Sequence, residues 1–444
     1  MSLDILFIHP NASKKIYQEL SKDHSAYEPP IWAGMLANHC RAKNFKTAIL
    51  DCEVNKLDYE KSAKEINNLK PKIACFVVYG QQPSASSQNM EGATKTSVEL
   101  KKLNKEIKTL FVGGHVAALP KETLKNESSI DIVALNEGVY SISNLLSVDN
   151  LNEESYLKKV KGIGFRNNEN QIIINEPEIV VPKKLLEDDL PGIAWDLLPK
   201  LSKYRTAGWH SWSNNSDKQP FAALYTSLGC PYKCSFCMIN IINRTNNDEN
   251  ISSQNSNIFR WWSPEFIIKQ FDYIAKQGVK NVKIADELFV LNPRHFLKIC
   301  ELLIERDYGF NIWAYSRIDT VPDPQTLKDI RLAGFRWLAL GIESGDKAIR
   351  LEVAKGKFEA VKVEQVVKQI EEAGIHVMAN YIFGLPGDNE ETIQQTFDLS
   401  VRLNTLGWNT YAAMALPGSP LYADAKSKGV RIPKTYDEFS FHSY

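Results

Sequence analysis

The sequence predicts an α/β protein built from two parallel-sheet units: a doubly wound sheet first, then a partial barrel of six β-α repeats. Three observations predict this. Short apolar runs alternate with helical periodicity through residues 3–140, the alternation resumes at 221 with a different rhythm, and the stretch between is irregular. Strands separated by helices imply parallel pairing with both sheet faces covered.

In the first unit LDILFIHP, KTAILD (46–51), KIACFVVY (72–79), TLFVGG (109–114) and DIVALNEG (131–138) read as buried strands. PIWAGMLANHCRAKN (30–44) and NMEGATKTSVELKKLNKEI (89–107) read as helices between them. Turn chemistry marks the strand ends: Pro10 and Asn11, Asp51, Gly80, Gly113 and Gly114, Glu137 and Gly138. In an open α/β sheet those carboxyl ends form the ligand crevice. The pattern is Rossmann-like, and its glycines serve either a ligand or only the turns.

Residues 141–220 mix the strand-like GIGFR and QIIINE with Pro-rich turns and read as a linker packed on both units. FAALYTS (221–227) opens the second unit and runs into a cysteine-rich loop. A helix follows with Ser263 as N-cap, Pro264 at its first position and Gly278 at its end. Then come VKNVKIAD (279–286), a helix from Pro293, FNIWAYSRID (310–319), a helix from Asp323 and RWLALGIESG (336–345). KVEQVVKQIEEAG (362–374), HVMANYIFGLPG (376–387), a helix over 390–405 and WNTYAAMALPG (408–418) complete six units. Chemistry in such barrels sits on the loops after the strands. The expected boundaries are 1–145, linker 146–220, barrel 221–420 and tail 421–444. The aromatic groups GWHSW (208–212) and FRWW (259–262) read first as packing and second as pocket lining.

The chain has 444 residues, with 53 Lys plus Arg against 53 Asp plus Glu, so nothing global invites nucleic acid or an anionic membrane. Apolar runs such as IACFVV are too short to span a bilayer, and the N-terminus lacks a basic leader. Scattered cysteines (Cys40, Cys52, Cys75, Cys300) fit reduced thiols, so a soluble cytoplasmic chain is expected.

The remaining three of seven cysteines fall in SLGCPYKCSFC at Cys230, Cys234 and Cys237. A structural zinc site wants four ligands, usually as two close pairs, and no fourth cysteine is near. Three cysteines cannot pair as disulfides. An iron–sulfur cluster held by three thiolates, with one iron open to another ligand, is the better fit.

C-x3-C-x2-C, with Phe236 just before the last cysteine, resembles the signature of radical S-adenosylmethionine enzymes, whose fold is a partial (β/α)6 barrel. The resemblance implies a 4Fe–4S cluster on Cys230, Cys234 and Cys237, with S-adenosylmethionine chelating the open iron. It also implies S-adenosylmethionine contacts from Phe236, from Asp286 or Glu287 in ADELF (amino group), and from Ser316 and Arg317 in SRID (carboxylate). Glu343 in GIESG would take the ribose and Gly384 in FGLPG the adenine. The Rossmann-like domain ahead of the barrel is similar to that of the cobalamin-binding class. The expected cobalamin contacts are Pro10, Asn11, Gln81, Gln82, Ser84, Gly113, Gly114, His115, Glu137 and Gly138, with His115 read as a loop residue. No Asp-x-His-x-x-Gly occurs, so histidine ligation of cobalt is not indicated.

The implied activity is methyl transfer to an unactivated carbon of a small molecule. One S-adenosylmethionine methylates cobalamin; a second yields a 5′-deoxyadenosyl radical that abstracts hydrogen, and the substrate takes the methyl group. An external one-electron reductant of flavodoxin or ferredoxin type is implied as partner, with no nucleic acid or membrane. A cobalamin-dependent cyclase or rearranging enzyme is the first alternative. A methylthiotransferase is the second; it would need Cys40, Cys52 and Cys75 to hold another cluster. A non-enzymatic electron carrier fits six barrel segments poorly. The tail 421–444 is shorter than such enzymes usually carry, so it is read as minimal or cut short.

Overall fold

The computed structural model describes residues 3–12, 25–80, 85–212, 217–247, 252–354 and 362–440. The first sheet contains β1 (Ile5–His9), β2 (Thr47–Asp51), β3 (Ile73–Val77), β4 (Lys108–Val112) and β5 (Ile132–Ala134), all parallel. It continues through β6 (Ile163–Arg166) and β7 (Ile172–Ile174), antiparallel, in the order β2-β1-β3-β4-β5-β6-β7. GIGFR and QIIINE, expected within a linker, therefore extend this sheet. A hairpin needs no crossover helix, so it can join an edge without the alternation that marks the other strands.

Strand periodicity splits the core. Leu6, Ile8, Ala74, Phe76 and Phe111 face one side, where Phe76 stacks on Phe111 at 4.8 Å. Ile5, Phe7, Cys75, Val77, Leu110 and Val112 face the other, against the helix Ile31–Ala42, in a core that runs on into the second unit.

The second unit begins with β8 (Phe221–Leu224), followed by the short antiparallel pair β9 (Ser227–Leu228) and β10 (Arg260–Trp261). With β11 (Asn281–Ile284), β12 (Asn311–Arg317), β13 (Phe335–Glu343), β14 (His376–Phe383) and β15 (Gly407–Ala412), β8 forms a six-stranded all-parallel sheet. Its order, β15-β14-β13-β12-β11-β8, is that of an open barrel. Ser263 and Asp323 cap their helices, and Pro264 and Pro324 occupy the first turns. Trp209 of GWHSW packs 5.2 Å from Trp313 and 5.1 Å from Trp337, near the starts of β12 and β13. That group is packing, at the amino end of the barrel. Among the described residues no helix is long and apolar enough to cross a membrane.

Candidate active site

The loop after β9 is held by its neighbours. Gly229 has φ +83°, and a Cβ there would lie 2.0 Å from the Ile258 carbonyl oxygen, so only glycine can precede Cys230. Asn240 accepts from the Cys230 amide (3.1 Å) and donates to its carbonyl (2.7 Å). Ser253 donates to the Cys237 carbonyl at 2.6 Å, and the Ser235 amide donates to the Val353 carbonyl at 2.8 Å. Asn240 and Ser253 belong to no motif read from the sequence; polar residues clamping backbone leave no spacing signal.

Burial pushes the thiols of Cys230, Cys234 and Cys237 up to about 12, and charge on neighbouring cysteines would raise each further. All three are partly buried, and Cys237 lines the cavity described next. Among the described residues no three His, Cys, Asp or Glu side chains are gathered tightly enough to hold one metal ion. A set of three cysteines suits a cluster that leaves one iron open better than a structural zinc site, which takes four ligands.

Beside Cys237 lies a cavity of about 260 Å³ whose lining includes Phe236, Glu287, Ser316, Arg317 and Glu343. The structure separates the adjacent acids of ADELF. Asp286 is turned away: it accepts from the Thr226 amide (2.6 Å) and from the Thr226 and Ser227 hydroxyls. Glu287 faces the cavity, and its Oε2 is buried without a hydrogen-bond partner. Burial, reinforced by Asp286, pushes Glu287 up to about 8. Glu343 sits at a β13 irregularity with φ +69°, and burial pushes it up to about 7 against the opposing pull of Arg317. An orphaned carboxylate oxygen fits an ammonium donor such as the amino group of S-adenosylmethionine.

Arg317 lines the cavity and is already paired there. Nε and Nη2 each donate to Asp319 at 2.9 Å, Nη1 reaches Cys234 Sγ at 3.4 Å, and the guanidinium lies 3.7 Å from the Tyr232 ring centroid. It is therefore beside the cluster loop, already paired with a carboxylate. Ser316 lines the cavity, its hydroxyl donating to the Arg317 carbonyl at 3.2 Å. Gly384 is exposed, has φ +81°, and its amide donates to Asp388. It makes the turn, while Ile382 lines the cavity. Tyr315, Asn380 and Tyr411 also line it and were not singled out from sequence; alternation puts them inward, but nothing local distinguishes them from core.

A second, narrower cleft of about 20 Å³ lies at the carboxyl ends of β1 and β3, lined by His9, Glu28, Trp32, Tyr79 and, from the barrel, Tyr225. Trp32 stacks on Tyr79 at 4.3 Å, which closes the cleft. His9, absent from the sequence reading, contacts Glu53 at 3.3 Å. Burial would lower His9, but the carboxylates of Glu53, Asp51 and Glu28 outweigh it and hold it above its usual value.

Of the cobalamin contacts expected from sequence, Gln81, Gln82 and Ser84 lie outside the described residues. Pro10 is buried, and Asn11 donates to the Leu57 carbonyl at 3.0 Å. Gly113 and Gly138 pack against Val78 and Val112, and Gly114 opens the short helix Gly114–Ala118. His115 bonds Ser87 at 2.8 Å and has Tyr436 5.3 Å away, facing the C-terminal segment instead of the cleft. Glu137 has both carboxylate oxygens engaged by Arg260, one at 2.7 Å, with the Val181 amide on Oε1. Both residues are nearly inaccessible, so Glu137 joins the two units.

Cys40 and Cys75 lie in the core on one face of the first sheet and Cys52 in that on the other. The three cannot share a cluster, which removes the structural basis of the methylthiotransferase alternative.

Comparison with known proteins agrees with this geometry. The model of the radical SAM superfamily matches residues 224–400, and that of the B12 binding domain matches 25–146. An uncharacterized methyltransferase of Pyrococcus horikoshii is 25% identical over 93% of this chain and 82% of its own length. An anaerobic magnesium-protoporphyrin IX monomethyl ester cyclase of Rubrivivax gelatinosus is 24% identical over 96% of this chain and 70% of its own. Among solved structures, the radical S-adenosylmethionine methyltransferase TsrM of Kitasatospora setae, with cobalamin and a [4Fe-4S] cluster bound, superposes with TM-score 0.68. It is 15% identical and covers 99% of this chain and 81% of that one. The cobalamin-dependent S-adenosylmethionine radical enzyme OxsB gives 0.69 at 17% identity, over 97% of this chain and 62% of that one.

Proposed function

Since this chain belongs to the radical S-adenosylmethionine enzymes that carry a B12-binding domain, we propose that it transfers a methyl group to an unactivated carbon of a small molecule. Its cofactors are a 4Fe–4S cluster, S-adenosylmethionine and cobalamin. When bound, the first two supply hydrogen abstraction at carbon and the third carries the methyl group.

The observation that carries the reading is the position of Tyr225. Its ring centroid is 6.2 Å from that of Trp32 in the sheet-edge cleft, and its phenol also feels Glu287 and Tyr315 of the barrel cavity. A barrel side chain thus reaches into the sheet-edge cleft, and in this reading a substrate seated beside it meets both cofactors. In this reading Cys230, Cys234 and Cys237 hold the cluster, Glu287 accepts from the amino group of S-adenosylmethionine, and Glu343 accepts from its ribose hydroxyls. Phe236 supplies apolar contact, Ser316 shapes the wall, and Arg317 steadies Cys234. Cobalamin would be held at the carboxyl edge of the first sheet, where His9, Trp32 and Tyr79 line the cleft. A one-electron reductant of flavodoxin or ferredoxin type and a cytoplasmic location belong to the same proposal.

The test is anaerobic reconstitution with iron, sulfide and hydroxocobalamin, then desalting, absorption and electron paramagnetic resonance spectra, and turnover with methyl-labelled S-adenosylmethionine. We expect a retained corrin spectrum, a 4Fe–4S signal that changes with S-adenosylmethionine, and label in an acceptor. Loss of the corrin on desalting would sink the methyl-transfer reading. The cyclase relative, aligned over 96% of this chain, supports one alternative, a ring-forming reaction. It would give 5′-deoxyadenosine with no methyl label in product.

A further inference from the structure

We propose that the cleft beside Arg350, on the outside of the barrel, is a binding site for a phosphate-class oxoanion. The cleft has a volume of about 350 Å³ and is lined by Gly345, Arg350, Lys362, Glu364, Gln365 and Arg402. Three short arguments converge on it.

The first is a buried cation with donors to spare. Arg350, on the helix Lys347–Ala354, is only 6% exposed, yet its Nε has no hydrogen-bond partner. Nη1 donates to the Ser344 carbonyl, which fixes the guanidinium against the end of β13 in the wall of the cleft. A desolvated charge left unpaired is costly, and a planar fork of N–H donors matches phosphate.

The second is a helix end. The helix Val363–Glu372 starts in the cleft, and its N-cap, Lys362, makes no side-chain capping bond. Its first-turn amides and dipole favour an anion there.

The third is charge. Three cations, Arg350, Lys362 and Arg402, meet two carboxylates: Glu364, 3.5 Å from Arg402, and Asp346, whose charge acts on Arg350. One positive charge and a helix end remain, a balance that favours a small oxoanion. The site is separate from the cavity of the proposed methyl transfer. The helix bearing Arg350 ends at Ala354, whose carbonyl accepts from Arg317 Nη1 at 3.2 Å, so an anion there braces the segment behind the cysteine loop.

The experiment is calorimetric titration of the reconstituted holoenzyme with inorganic phosphate, against chloride at matched ionic strength. The wild type should bind one phosphate saturably. Lys362→Gln combined with Arg402→Gln, both at exposed positions, should weaken it about tenfold, the effect of one charge-assisted hydrogen bond. Arg350→Gln should abolish it. If Arg350→Gln fails to fold, the surface double variant still decides. No saturable phosphate binding, or equal binding by wild type and double variant, overturns the site. A parallel titration with ribose 5-phosphate separates the sources: tighter binding than phosphate assigns the site to a phosphate group on a larger ligand, and equal binding to the free ion.

Discussion

Glu287 and Glu343 make the cofactor-free protein sensitive to pH. Burial raises Glu287 to about 8 and Glu343 to about 7, so each binds its proton more tightly folded than unfolded. Between the ordinary carboxyl value of 4.5 and about 8, the folded state therefore holds the extra protons, and stability falls as pH rises through that window. Glu287→Gln removes the larger contribution. In the cofactor-free protein, the melting temperature of the variant should decline less than that of wild type between about pH 5 and pH 8, and should be the higher one at pH 8. Parallel curves would mean that Glu287 carries charge in the empty site. In the reconstituted enzyme the same variant should bind S-adenosylmethionine about tenfold more weakly, having lost one charge-assisted hydrogen bond. The cysteine triple stands out in the sequence because its spacing is itself the chemistry. The choice between Asp286 and Glu287 was not legible: Thr226 and Ser227, sixty positions upstream, capture Asp286. Arg317 does line the cavity, but its pairing with Asp319, two residues on, was not legible.

At the scale of elements, the helix Ser86–Leu103 shows how a contact overrides propensity. Gly92 lies within it, where alanine ordinarily stabilises by about 1 kcal/mol. A Cβ at Gly92, however, would lie 2.6 Å from the Asn11 carbonyl oxygen and 3.3 Å from Ala12 Cβ. Backbone cannot yield as a side-chain tip does, so Gly92→Ala should destabilise by about 1–3 kcal/mol, the range for overpacking. Urea unfolding followed by circular dichroism measures this, and a stabilised variant would show that the helix shifts off β1 without penalty. Strands and caps were legible where local chemistry decides them: Ser263 and Asp323 accept from amides of their own first turns. β6 and β7 read as strand-like too, but their place in the first sheet was not legible, because it depends on pairing with β5, and three isoleucines among prolines do not announce a partner.

For the whole molecule the question is whether two parallel sheets behave as one body. A single apolar core links them: Ile5, Phe7 and Cys75 of the first sheet belong with Leu224, Val282 and Leu338 of the barrel. Two buried ion pairs cross the same boundary, Glu137–Arg260 at 2.7 Å and Glu28–Lys283 at 2.8 Å. Neither pair need add net stability, since desolvation offsets attraction, but breaking one leaves a buried charge alone, at a cost of about 3–5 kcal/mol. Such pairs instead penalise any other docking of the units, and they fix how the first sheet sits against the barrel. Wild type should therefore unfold in one transition, with tryptophan fluorescence and far-ultraviolet circular dichroism coincident. Arg260→Met should lose about 3–5 kcal/mol, and adding Glu137→Gln should recover a large part of it, because the second change removes the orphaned carboxylate. If the single variant unfolded in two steps with the barrel unaffected, the ion pair would be holding two independently stable units. If the double variant were no better than the single, the loss would come from the Val181 and Asn243 contacts that Glu137 and Arg260 also make.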